Sequence, residues 1–178
     1  MKKNVLSIAL ATVSAFSIMS AANAADGQID FTGSVVGNTC TINGGTGQNF
    51  TVNLPPVSAA TLATAGSWAG RTPFQIKLTN CTPDSGKVHA LFETGPTVNS
   101  KTGRLIVDPN GAEKVEIGLL NSAYEPIVAG AADGSQNTDV LDIDSGSATM
   151  NFVAQYESLG GAKPGSANSR VHYTIIYQ

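Results

Sequence analysis

The sequence lacks the features that mark most catalytic and metal-binding proteins. It has two histidines, His89 and His172, which are too few for a histidine-rich site such as that of a copper–zinc superoxide dismutase sandwich. It contains no Gly-x-Ser-x-Gly nucleophile motif and no phosphate loop ending in Gly-Lys-Ser/Thr. We therefore expect no enzymatic activity, no metal and no cofactor.

Charge is scarce as well. Charged residues make up 13% of the 178 residues, about half of the usual share. No cluster of basic residues is present, which argues against nucleic acid or an anionic membrane surface as a partner. The composition suits a β-rich exported protein with a polar, weakly charged surface.

The chain begins with a segment typical of secretory signal peptides, Met1–Ala24. Lys2 and Lys3 precede an apolar stretch, and Ala22-Asn-Ala24 supplies the small residues of a cleavage site. The apolar stretch is shorter than the ~20 residues that a transmembrane helix needs. We expect cleavage after Ala24, which leaves 154 of the 178 residues, 8 basic and 13 acidic, with a net charge of −5 and no membrane insertion.

Two cysteines, Cys40 and Cys81, are present. In the oxidising compartment beyond a signal peptide, two cysteines most simply form one disulfide. A free, reactive thiol pair is the alternative.

The exported part shows no helical periodicity of useful length but many short alternating stretches separated by turn residues, which indicates an all-β sandwich. The clearest strand places Phe74, Ile76 and Leu78 on one face, with polar residues between them. Ala59–Ala69 is predicted to be a short helical turn or a crossover loop, with Trp68 covering one end of the core. Further strands are predicted at Val36–Ile42, Val88–Phe92, Leu105–Val107, Val115–Leu120 and Met150–Tyr156, and Phe50, Val52 and Leu54 alternate before Pro55-Pro56.

The two ends of the exported chain also alternate. Near its start the apolar series is Ile29, Phe31, Gly33 and Val35, with a glycine where a strand interior normally carries a side chain. By its residues alone, this stretch could equally be an ordinary first strand. The last residues form a second series, in which large apolar residues occupy every other position. Its members are Val171, Tyr173, Ile175 and Tyr177.

These features together resemble the chaperone–usher pilins, the subunits of type 1-like fimbriae. The resemblance rests on the penultimate Tyr177, the alternation before it, Gly165 fourteen residues from the end, the two cysteines, and Phe152-x-Ala154-x-Tyr156. It covers the whole exported chain. It implies an immunoglobulin-like β-sandwich (residues 37–178) that lacks its last strand, a Cys40–Cys81 disulfide, and an N-terminal donor strand (residues 25–36).

The resemblance also implies a function. A donor strand from another molecule completes the sandwich: first a periplasmic chaperone lends one, and then, at an outer-membrane usher, the next subunit's Ile29, Phe31, Gly33 and Val35 replace it. The receiving edge would involve Gly165, Val171, Tyr173, Ile175 and Tyr177. The expected product is a head-to-tail homopolymer, a fimbrium on the cell surface that supports adhesion.

Other functions stay open at this point. A minor or adaptor pilin would share these features, whereas a tip adhesin needs a further receptor domain and a terminator subunit would lack a working donor segment. A self-contained, secreted carbohydrate-binding sandwich, whose first strand folds back on its own groove, is the alternative from another class.

Overall fold

The structure, a computed structural model, describes residues 27–33, 35, 37, 39–43 and 48–178. The predicted signal peptide, part of the predicted donor segment and residues 44–47 lie outside these residues. Contacts divide the chain into two units, Met1–Val35 and Val36–Gln178. In the described residues no helix is long and apolar enough to cross a membrane.

The second unit is a sandwich of two antiparallel sheets. Its strands are β1 (Thr39–Ile42), β2 (Trp68–Thr82), β3 (Gly86–Phe92), β4 (Leu105–Ile106), β5 (Val115–Leu120), β6 (Leu141–Ile143), β7 (Ala148–Ser158) and β8 (Tyr173–Tyr177). A 3-10 helix at Ala59–Leu62, capped by the Ser58 hydroxyl, confirms the predicted helical turn. One sheet has the order β1-β2-β7-β5-β4 and the other β6-β3-β8. The prediction of an all-β fold is therefore confirmed.

The core lies between the sheets and follows from the alternation of β2 and β7. Phe74 pairs with Phe152, and Ile76 pairs with Met150, so that the apolar residues of both strands face the same side. Phe92 of β3 meets Phe152 edge-on from the opposite sheet, with ring centroids 5.4 Å apart. Aromatic and branched side chains from the two layers thus interdigitate, as in sheet-on-sheet packing generally.

The outer face of the five-stranded sheet buries two carboxylates. Arg104 forms an ion pair with Glu157 at 2.6 Å, while Asn99 donates to Glu116 at 2.6 Å. Gln155 also donates to Glu157, at 3.0 Å. Since buried carboxylates are costly unless they are paired, this network holds the loop before β4 against β5 and β7.

Trp68 corrects one expectation from the sequence. It begins β2 on the outer face of the sheet, remains 50% exposed, and lies under the Arg71 guanidinium, 3.7 Å from the ring centroid. It does not cover an end of the core. Its side chain is held by a cation–π contact that the local sequence pattern does not reveal.

The disulfide between Cys40 and Cys81 is formed. It links β1 to the end of β2, two strands that also pair with each other. Because β1 is a short edge strand of four residues, the crosslink ties it to the rest of the sheet.

Replacing both cysteines by serine should lower the free energy of unfolding by about 4 kcal/mol, the loop-entropy expectation for a closed loop of this length. Urea unfolding of the exported chain measures this, and the reduced wild-type protein should behave like the double variant. An unchanged urea midpoint in the double variant would show that the crosslink contributes nothing to stability.

Candidate binding groove

A long groove runs along the free edge of the terminal strand. It has a volume of about 890 Å³ and lies within the second unit. Its two walls are β8 with the residues just before it, and β1 with residues 48–54. We call this feature the groove and residues 48–54 the loose wall.

The β8 wall presents the predicted apolar series. Val171, Tyr173, Ile175 and Tyr177 all line the groove and remain partly exposed. On its other side β8 pairs with β3, from Tyr173 opposite Phe92 to Tyr177 opposite Val88. Along the groove it has no strand neighbour among the described residues. An edge of this kind carries unpaired backbone donors and acceptors and is a template for an added strand.

The floor of the groove is the hydrophobic core itself. Phe92 and Ile76, 2% and 0% exposed, border the groove and belong to opposite sheets. Further core residues complete the floor: Phe74, Leu105, Ile117, Leu119 and Ala154. The opening therefore lies where one more strand would cover the core.

The loose wall differs from an ordinary strand. Phe50, Val52 and Leu54, which alternate with polar residues in the sequence, all line the groove with their side chains. The segment nevertheless forms no ladder, and the backbone of residues 49–57 makes no hydrogen bond to another described residue. The segment therefore lies beside the unpaired edge of β8 without being held in a ladder.

The two walls touch through aromatic side chains. The Tyr173 hydroxyl donates to the Gln48 carbonyl at 2.8 Å. The Phe50 ring meets Tyr173 edge-on, with centroids 6.3 Å apart, and meets Phe74 at 6.1 Å. Tyr177 lines the groove beside Cys40.

Both groove tyrosines favour their neutral form. Burial raises the pKa of Tyr173 above 10.0, and it also raises the pKa of Tyr177, where a hydrogen bond with the Cys40 backbone acts in the opposite direction. In the described part of the chain, no group of three or more His, Cys, Asp or Glu side chains could hold a metal ion. The groove combines the apolar series of β8 and a largely apolar floor with some polar side chains and Arg170 in its lining, and it suits a peptide strand.

Gly165, which the resemblance places at the receiving edge, is not among the residues that line the groove. It precedes β8 and packs against the backbone of Gly111 and Ala112 so closely that an added Cβ would lie 2.5 Å from the Ala112 nitrogen. Its absent side chain allows the segment before β8 to approach the loop after β4. Gln48 is among the groove residues that the sequence did not indicate, and it contacts Tyr173 across 125 positions of the chain.

The predicted donor segment belongs to the first unit and has no regular secondary structure in residues 27–33. Ile29, Phe31 and Val35 are 78%, 90% and 104% exposed. An added Cβ at Gly33 would meet nothing within 4 Å. The alternation there predicted a strand, but a strand needs a ladder partner, which these residues do not have in this structure.

Comparison with known proteins places this geometry in context. The family model for type-1 fimbrial protein A, FimA, matches residues 54–178. The major fimbrial subunit SMF-1 of Stenotrophomonas maltophilia K279a is 48% identical over 163 residues, covering 88% of this chain and 95% of that protein. The F17 fimbrial protein of Escherichia coli is 40% identical over 165 residues, covering 89% and 91%. Among solved structures, the P pilus rod subunit PapA superposes with a TM-score of 0.60 at 20% identity, covering 78% of this chain and 99% of that one.

Stability should fall as the pH rises above the ordinary tyrosine pKa of about 10. Because the folded-state pKa of Tyr173 and of Tyr177 is raised, ionisation favours the unfolded chain. The stability that the two neutral tyrosines contribute is fully present below their unfolded-state pKa. It is lost as the pH rises through their folded-state pKa.

Urea unfolding at a series of alkaline pH values tests this expectation. The Tyr173→Phe/Tyr177→Phe double variant cannot ionise at these positions, so its stability should decline less steeply with pH. Tyr124→Phe, an exposed position outside the groove, should decline like the wild type. If the stability of all three proteins declined in parallel with pH, Tyr173 and Tyr177 would not be the source of this pH dependence.

Proposed function

We propose that copies of this chain join head to tail by donor-strand exchange. The premise is that the chain belongs to the type-1 fimbrial protein family and is a structural subunit of fimbriae. Residues 25–36 of one subunit fill the groove of the next. The observation that carries the proposal is the open groove, which borders an unpaired strand edge and has the core as its floor.

Ile29, Phe31 and Val35 are the side chains that would insert between the walls. They lie at alternate positions, so an extended segment presents them on one face. Each is exposed in the free segment, and burying such a side chain stabilises by roughly 1.5–3 kcal/mol before ordering costs. Gly33 lies on the same face, and we infer that the groove has no room for a side chain at the position that Gly33 would occupy. Backbone pairing with β8 would add the hydrogen bonds of a ladder.

The site also needs protection before assembly, because an exposed apolar edge promotes aggregation. We therefore infer that a periplasmic chaperone covers the groove with a strand of its own, and that an outer-membrane usher is the place where the next subunit replaces it. The polymer then stands on the cell surface. No catalytic role is assigned.

Because the donor segment and the groove are different surfaces of one chain, their contact is heterologous. A heterologous contact that does not close on itself produces a filament. Size-exclusion chromatography of the exported protein distinguishes this function from a self-contained sandwich, which would remain a stable monomer.

Gly33→Val tests the donor assignment. An added Cβ at this position has no neighbour within 4 Å, so the free subunit should fold and accumulate normally. In the groove the new side chain would overpack, at a cost of typically 1–3 kcal/mol at every junction. We expect few or no surface fibres by electron microscopy.

Thr32→Val is the control for that substitution, because it places a valine side chain on the opposite face of the segment. It should assemble like the wild type. Abundant normal fibres from Gly33→Val would show that residues 25–36 are not the donor strand.

Ile175→Ala tests the groove. This residue lines the groove, so truncation should weaken binding of a synthetic peptide of residues 25–36 by about 2 kcal/mol, roughly thirtyfold in Kd. Ile176→Ala is the control, since Ile176 is also half-buried but lies opposite His89 and does not line the groove. Calorimetry measures both affinities, and equal losses would place the binding edge elsewhere.

A further inference from the structure

The groove is bridged where the loose wall meets the start of β8. The Tyr173 hydroxyl is bonded to the Gln48 carbonyl at 2.8 Å, and the Phe50 ring lies against both Tyr173 and Phe74. These contacts join the two walls between which a donor strand would have to lie. We call Phe50 and Tyr173 the aromatic gate.

The gate lies on the part of the groove that is held most weakly. The backbone of residues 49–57 makes no hydrogen bond to another described residue, and Phe50 is 42% exposed. The wall beside Tyr177 is different, because β1 is paired with β2 and Cys40 is crosslinked to Cys81. One end of the groove is therefore fixed, whereas the other depends on side-chain contacts that can be exchanged.

A seated strand competes with the contacts of the closed gate. Neighbouring strands lie about 4.8 Å apart, so a strand inserted between β8 and the loose wall would hold their backbones roughly 9.6 Å apart. The incoming backbone needs the free edge of β8 at Tyr173, and its apolar side chains need the space over Phe74 that Phe50 now covers. Both requirements are met when the hydrogen bond to Gln48 breaks and the loose wall moves outward with Phe50.

We propose that Phe50 and Tyr173 form a gate that must open before a donor strand can pair along the whole of β8, so that the Tyr173–Gln48 hydrogen bond limits the rate of strand insertion. This inference rests on the proposed function, because it concerns how the same groove is filled. It assigns Tyr173 a role in the rate of assembly that is separate from its apolar contribution to the groove. Lid-like segments that open before a partner is seated control rates in this way.

The test is the rate at which a labelled peptide of residues 25–36 is taken up. The full exported chain, refolded at high dilution with its disulfide intact, is mixed with excess peptide, and fluorescence anisotropy follows binding. Tyr173→Phe keeps the ring and removes the hydroxyl, so it should accelerate uptake by about two- to tenfold, the effect of losing one ordinary hydrogen bond. Phe50→Ala opens the gate from the other wall and should also accelerate uptake.

Tyr156→Phe is the control, because it removes a hydroxyl from a partly buried tyrosine of β7 that does not line the groove. Its uptake rate should equal that of the wild type. If all proteins take up the peptide but neither Tyr173→Phe nor Phe50→Ala is faster than the wild type, the gate proposal is wrong. Donor-strand exchange is then still supported. If no protein takes up the peptide, donor-strand exchange itself fails and the gate fails with it.

Discussion

Strand β8 pairs with β3 along one side and with no described strand along the other, and the remaining organisation of the site depends on this imbalance. An unpaired strand edge by itself offers a partner only a short row of backbone hydrogen-bond donors and acceptors. Here it borders an opening onto Phe92 and Ile76, residues from opposite sheets that are otherwise fully packed. The same opening thus offers both the hydrogen bonds of a ladder and apolar contacts, and a peptide strand supplies partners for both.

The sandwich remains well packed despite this opening because most of its core lies between other strands. The long β2–β7 pairing carries the Phe74–Phe152 and Ile76–Met150 contacts. On the outer face, Arg104 and its neighbours neutralise the buried carboxylates of β5 and β7. The missing neighbour of β8 therefore affects one edge of the three-stranded sheet, and the five-stranded sheet provides a stable base for it.

The two walls of the groove are held by different means, and this difference bears on how the proposed donor strand would be seated. The β1 wall is fixed by a ladder and a disulfide, whereas residues 48–54 are held by Phe50, Val52, Leu54 and the hydroxyl of Tyr173. A rigid wall gives the partner a defined position. A wall held by side chains can move aside and then contact the strand that replaces the previous contacts.

The amino-acid sequence by itself determined which faces are apolar. Alternation along Phe74–Leu78 and Val171–Tyr177 fixed the inward sides of β2 and β8, because successive side chains of a strand point in opposite directions. The predicted export signal and the two cysteines indicated the disulfide. Tertiary structure decided the rest, since it depends on contacts between distant residues. The arrangement of the strands in space decides three such contacts. They are the Tyr173–Gln48 hydrogen bond, the packing of Gly165 against Ala112, and the position of Trp68 beside Arg71. A local pattern shows that residues 48–54 can be extended, but whether an extended segment joins a ladder depends on which strand lies beside it.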